Sequence, residues 1–436
     1  MAWRRGIAGW IGTVALLVAA PAWAQIGQLP PLGLPDLPSG VTDRLPAVGD
    51  IDRLGGHVVD RALQAPSRVR WLIRRSGGAL EADPLGWPVV AGEIVAIELS
   101  EPARARALDA GFTVAREVRL EALDLTTTVL APPRRLSLSR AVERLRDLAP
   151  EAEIAFNHVH TPAGAEGVVE SGEPAPPGPQ ASGARLGLID TGVDAAHPAL
   201  AGSSITQRGF AGPPRMGAHG LAVASLMVGR SGIFSGGAPG AALLVADLYG
   251  GQATGGSSTR LAQTLEWMVE QRVAVVNVSL VGPRNALVER AVARAQARGV
   301  TVVAAAGNDG PAAAPLYPAA YEGVVGVTGV SARNQVLPEG GRGPQVDFAA
   351  PGADMAAAAQ AGTWAGVRGS SFASPIVAGL LARHGGGSGA MAALTRSARD
   401  LGAPGRDPIY GAGLVGTASR VPPREMGALK KVLAPG

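Results

Sequence analysis

The sequence predicts an α/β fold: a parallel sheet with helices on both faces, preceded by a small α+β module. Three observations predict it. Beyond about residue 183, short apolar runs alternate with segments of helical period, the pattern of parallel strands joined by crossover helices. Residues 161–182 are Pro, Gly, Ala, Glu and Ser with almost no bulky apolar side chain, which cannot bury a core and reads as an exposed linker. Upstream of that linker, residues 88–160 hold a separate set of short strands and amphipathic helices. With 436 residues, 47% of them hydrophobic, the chain has enough length for two or three domains and a large core.

From the N-terminus, Arg4 and Arg5 precede an apolar run over residues 7–20 and the small-x-small triplet Ala22-Trp-Ala24. Residues 1–24 therefore read as an export signal cleaved before Gln25. The run is shorter than the roughly 20 residues a spanning helix needs, and no other segment reads as a membrane span. With no cysteine, the exported chain holds no disulfide, so its robustness comes from packing, metal ions or slow unfolding. Residues 25–87 form a Pro/Gly-containing lead-in of unknown role, with one helical pattern near 48–63. Its basic run, Arg68-Val-Arg-Trp-Leu-Ile-Arg-Arg75, alternates with apolar residues and reads as the solvated face of a short element. A net charge of only +4 argues against a nucleic-acid partner.

Within residues 88–160, strand-like runs cover 89–99, 112–119 and 123–130, with a helix over 102–110 and a last strand over 152–156. Leu138, Ala141, Val142, Leu145 and Leu148 recur along one face of a second helix. The main domain spans 183–418 and leaves 419–436 as a tail. Its strands are expected at 186–189, 243–248, 273–280 and 300–306, and its helices at 220–228, 258–271 and 286–298. In such sheets functional residues gather at the carboxyl ends of strands, where Asp190 falls.

Asp190-Thr-Gly has two readings. It could belong to a carboxylate dyad, but that needs a second Asp-Thr/Ser-Gly, which the chain lacks. It could instead orient a histidine. His219 opens the apolar stretch His-Gly-Leu-Ala-Val-Ala-Ser-Leu-Met-Val-Gly, whose glycine lets the ring face a cleft while a helix packs behind. His197, in Asp194-Ala-Ala-His-Pro-Ala-Leu, reads as a structural loop residue. Ser371 precedes Phe-Ala-Ser-Pro375, and a proline there places the serine at a helix N-terminus, with an outward N–H facing developing negative charge. Ser370 and Ser374 read as ordinary capping hydroxyls. Asn308 closes the apolar strand Val302-Val-Ala-Ala-Ala-Gly-Asn, where its amide can donate to an oxyanion.

With Asp190, His219 and Ser371 in this order beside Asn308, the chain resembles the subtilases, the subtilisin-like serine peptidases, over about residues 183–418. Gly237-Ala-Pro-Gly-Ala241, Val276-Asn-Val-Ser-Leu-Val-Gly282, Phe348-Ala-Ala-Pro-Gly352 and Tyr410-Gly-Ala-Gly-Leu414 add to the likeness. The resemblance implies a subtilisin-like fold and a serine endopeptidase that cleaves polypeptides through an acyl-enzyme on Ser371. Substrate would lie extended along Ser279, Leu280, Val281 and Gly282, with Ala304, Ala305, Ala306 and Gly307 as the other wall of an open, apolar first pocket. It also implies that residues 88–160 act as an inhibitor-like prodomain capping the cleft, that the linker is the maturation region, and that the enzyme is a monomer. No cofactor is required. Calcium stays open, because Asp194, Asp309, Asp347 and Asp354 are loop carboxylates that no ligand spacing singles out.

The chain departs from the family pattern at Leu221 and Ser225 after the histidine, and at Ser370 and Phe372 around the serine. None of these removes a reacting group. The alternative, a non-catalytic binding or scaffold protein on this fold, is opposed by the intact set of four.

Overall fold

The structure is a computed structural model that describes residues 65–163, 165–167 and 185–427, with side chains from residue 69 and none for 165–167. The export signal over 1–24, most of the lead-in, the linker over 168–182 and the end of the tail lie outside the described residues.

The N-terminal module begins earlier than its composition indicates. Helix α1 (Ala65–Arg75) and strand β1 (Leu80–Ala82) belong to it, followed by β2 (Pro88–Ile97), α2 (Glu101–Asp109), β3 (Thr113–Leu120), β4 (Leu125–Ala131), α3 (Leu138–Leu148) and β5 (Glu153–His158). The basic run has exposed Arg70 and Arg74, as expected, while Leu72 and Ile73 pack on Leu80, Val90 and Val159. The strands form an antiparallel sheet in the order β1-β2-β4-β3, with β5 also on β2. Strand β2 shows why: its side chains alternate faces. Ile94 and Ala96 join Leu130, Val142 and Leu145 in the module's own core. Val95 and Ile97 face the other way, toward the main domain.

After β6 (Thr161–Pro162) and β7 (Ala165–Gly167), the main domain alternates as predicted. Its elements are β8 (Arg185–Asp190), β9 (Ile205–Gly209), α4 (Ala218–Val228), a β10 (Arg230–Ser231) and β11 (Phe234–Ser235) hairpin, β12 (Ala242–Asp247), α5 (Ser258–Glu270), β13 (Val275–Val278), β14 (Leu280–Val281), α6 (Ala286–Ala297), β15 (Thr301–Ala305), β16 (Val325–Val330), β17 (Phe348–Pro351), β18 (Met355–Ala358), β19 (Trp364–Arg368), α7 (Ser370–Arg383) and α8 (Gly387–Ser397). Seven strands form one parallel sheet in the order β17-β16-β15-β13-β8-β12-β9. One apolar core lies under α4 and α7, which are buried almost all round; the other lies under α5 and α6. Burial on both sides explains why the strands are continuous apolar runs rather than alternating ones.

The module sits on α5 and α6. Leu123 and Leu125 share the core of Leu261, Leu265, Leu287 and Val288. Glu266, on α5, accepts from the N–H groups of Ala122 (2.7 Å) and Leu123 (2.9 Å) in the β3–β4 turn. Asn285 caps α6 through bonds from Leu287 and Val288, and its amide donates to Phe156 O at 2.9 Å.

Candidate active site

Asp190 ends β8 and is fully buried. The next residue, Thr191, fixes the helix that carries His219: its hydroxyl accepts from Gly220 N at 3.0 Å. The fit is tight, for a Cβ on Gly217 would lie 2.5 Å from the same hydroxyl. His219, second in α4, thereby places Nδ1 at 2.9 and 2.8 Å from the two Asp190 carboxylate oxygens. An ionised carboxylate only accepts, so Nδ1 carries the proton and Nε2 is the basic atom.

Ser371 is the second residue of α7. Gly369 precedes it at φ 136, a conformation that favours glycine. Ser371 Oγ donates to Ser279 O at 3.3 Å, and the ring of the adjoining Phe372 lies 5.4 Å from that of His219. Pro375 sits in the second turn rather than the first, and it lacks the N–H that would bond the Ser371 carbonyl. Ser279 Oγ takes that place, donating to Ser371 O at 2.9 Å. Asn277 and Ser374 in turn hold the Ser279 hydroxyl, at 2.8 and 3.0 Å. Ser370 and Ser374 are therefore not helix caps, contrary to expectation. Ser370 Oγ accepts from Gly307 N at 3.1 Å and so pins the nucleophile turn to the strand end of Asn308.

Asn308 Oδ1 accepts from Ser370 N at 3.0 Å, which fixes the amide's orientation. Its Nδ2 donates to the main-chain carbonyl of Ala163. This occupant of the cleft corrects the reading of residues 161–182 as exposed from their start. Strand β6 runs antiparallel to β14, Thr161 opposite Val281 and Pro162 opposite Leu280, and Ala163 N donates to Ser279 O at 3.2 Å. Beyond it, β7 pairs antiparallel with β19, Ala165 opposite Arg368. Composition missed this because main-chain pairing needs no bulky side chain.

The expected wall residues divide. Ser279, Leu280 and Val281 border the β6 strand, and Gly282 leaves room for His160, whose Cδ2 would lie 2.6 Å from an added Cβ. Ala305 shares an apolar cluster with Val281 and Ala163, whereas Ala306 is bonded into the sheet through Val327 O. Leu316, from a Pro-rich loop that no motif marks, joins that cluster and is buried. A Cβ on Gly307 would meet Leu316 at 2.5 Å.

His197 is structural as read, accepting from Ala199 N at 3.1 Å and meeting Thr363 O. The departures are accommodated: Ser225 Oγ accepts from Ala358 N at 3.0 Å, and Leu221 is fully buried. Of the loop carboxylates, Asp194, Asp347 and Asp354 accept backbone N–H groups, and Asp347 also meets Arg406.

Two buried groups lie in the N-terminal module and the segment that follows it. His160 is pushed down to about 4 by burial, aided by nearby His158 and opposed by the Gly256 carbonyl. Burial alone would raise Asp83, but bonds from His158 and the Trp87 N–H outweigh it and hold the carboxyl below its usual range.

A model of the subtilase family matches residues 181–413. The chain is a subtilase. It is 31% identical to thermitase of Thermoactinomyces vulgaris over 230 residues, 51% of this chain and 79% of that protein. Against subtilisin of Bacillus pumilus it is 30% identical over 216 residues, 47% of this chain and 78% of the relative. The crystal structure of fervidolysin from Fervidobacterium pennivorans, a keratinolytic enzyme related to subtilisin, aligns at a TM-score of 0.61 and 18% identity. That alignment covers 77% of this subtilase and 61% of fervidolysin and shows the shared fold. Like its relatives, this subtilase is a serine endopeptidase.

Proposed function

We propose that this subtilase is an exported endopeptidase that uses Asp190, His219 and Ser371 as its triad and is made as a self-capped precursor. The observation that carries the triad is the Asp190 carboxylate on Nδ1 of His219. That bond holds the imidazole in the tautomer whose Nε2 accepts a proton, and it stabilises the imidazolium that results. Ser371 attacks the substrate carbonyl as its proton passes to His219. The Asn308 amide and the Ser371 N–H bind the oxyanion, and His219 then protonates the leaving amine. Water, activated by the same histidine, hydrolyses the acyl-enzyme. The segment 88–160 is the cap, supported by its docking on α5 and α6 and by β6 lying along Ser279–Val281. Export rests on Arg4, Arg5, the apolar run and Ala22-Trp-Ala24; the mature enzyme acts as a monomer and requires no cofactor.

A fluorophosphonate probe tests the reading. The wild-type enzyme becomes labelled and Ser371→Ala does not; absence of label on the mature wild-type protein would sink it.

A further inference from the structure

The oxyanion donor stands on a loop that does not hold itself. Asn308 lies between Gly307 at φ 97 and Gly310 at φ 94, two left-handed positions where glycine turns freely and other residues do not. A stretch so permissive keeps an amide in one place only if other segments brace it. Ser370 braces it at Gly307 and Asn308. The segment 339–341 braces both ends: Gly341 N donates to Gly307 O at 3.0 Å, and Gly310 N donates to Glu339 O at 2.8 Å. Contact here is close, for an added Cβ on Gly341 would strike Ala306 O.

That segment is itself tied to the nucleophile. Arg368, three residues before Ser371, sets Nε at 2.6 Å and Nη2 at 2.8 Å from the two carboxylate oxygens of Glu339. Two parallel bonds from a planar guanidinium fix direction as well as distance. The connections close a ring. It runs from Arg368 to the Glu339 carboxylate, from the Glu339 carbonyl to Gly310, along the chain to Asn308, from its Oδ1 to Ser370 N, and through Gly369 back to Arg368. The Glu339 side chain is 19% exposed, so solvent screens the pair only in part.

Resting on the peptidase reading above, we infer that Arg368 and Glu339 are a positioning pair for the reaction, holding the Asn308 amide where the oxyanion forms. They act through Asn308 and not on the reacting atoms. Without the pair, Ser370 still tethers one end of the loop, but the Gly310 end loses its anchor to the nucleophile turn. The amide then meets the oxyanion in only part of the molecules. Because the oxyanion exists only after attack, the cost falls on kcat and spares substrate binding.

The test is a double-mutant cycle on the mature enzyme, expressed as the full chain and assayed on a peptide amide. Arg368→Ala should lower kcat by about tenfold, less than loss of the donor itself, with KM within about twofold. Arg368→Lys, which offers a point charge in place of a fork, should fall between wild type and Arg368→Ala. In an Asn308→Ala background, where no donor is left to place, Arg368→Ala should cost less than about threefold further. If Arg368→Ala yields no folded enzyme, Glu339→Gln, close in shape but uncharged, should show the same split between kcat and KM and the same dependence on Asn308. Equal losses with and without Asn308, or a loss carried by KM, overturn this inference alone. A wild-type enzyme that takes no fluorophosphonate label overturns the peptidase reading as well.

Discussion

Asn308 serves two bonds with one amide: its oxygen braces Ser370 N, and its nitrogen meets the carbonyl in the cleft. Asn308→Asp keeps an oxygen for Ser370 N but has no amide to donate. Its kcat should fall about 100- to 1000-fold with little change in KM, the signature of an interaction made in the transition state. A loss confined to KM would contradict that role. At this scale the sequence was highly informative. Asp190, His219, Ser371 and Asn308 each stand in a motif whose small neighbours admit a reactive group. Leu316 and the Ser279 hydroxyl were not legible, because each matters through a partner far along the chain: Ala163 for one, the Ser371 carbonyl for the other.

Among elements, the module's helices and strands were readable from period alone, α3 above all, since Leu138, Ala141, Val142 and Leu145 of its apolar stripe are buried and Leu148 half-buried. What period could not reveal is which second face each strand covers. The β3–β4 turn docks by pointing two N–H groups at the carboxylate of Glu266, buried on α5. Hydrogen bonds to a charged group contribute about 1.5–3 kcal/mol each, so Glu266→Ala should loosen this contact substantially. In full-length Ser371→Ala protein, added trypsin should then digest the module at least about tenfold faster, provided that opening governs cleavage. Unchanged digestion would show that the apolar contacts of Leu123 and Leu125 suffice.

For the whole molecule, the seam between module and main domain responds to pH. His158 Nε2 donates to Asp83, and its Nδ1 accepts from the Asn285 amide at 3.0 Å, whose orientation the α6 cap fixes. His160 lies deeper, and its Nε2 meets no hydrogen-bond partner among the described residues. Its folded pKa, about 4, lies below its usual 6.5, so between these values the unfolded chain binds the proton and the folded one does not. Stability therefore declines as pH falls from 6.5 toward 4. The Asp83 contribution, depressed in the folded state, is lost at still lower pH. The thermal midpoint of Ser371→Ala precursor should drop across this window, and His160→Gln should flatten the drop; an equal slope in both would remove His160 as the cause. Folding also gives Ser279 two duties. Its hydroxyl carries the Ser371 carbonyl that Pro375 leaves open, while its own carbonyl receives the Ala163 N–H. Attacking group and target are thus gauged from one datum, so errors in the placement of sheet and helix shift both together and do not accumulate between them.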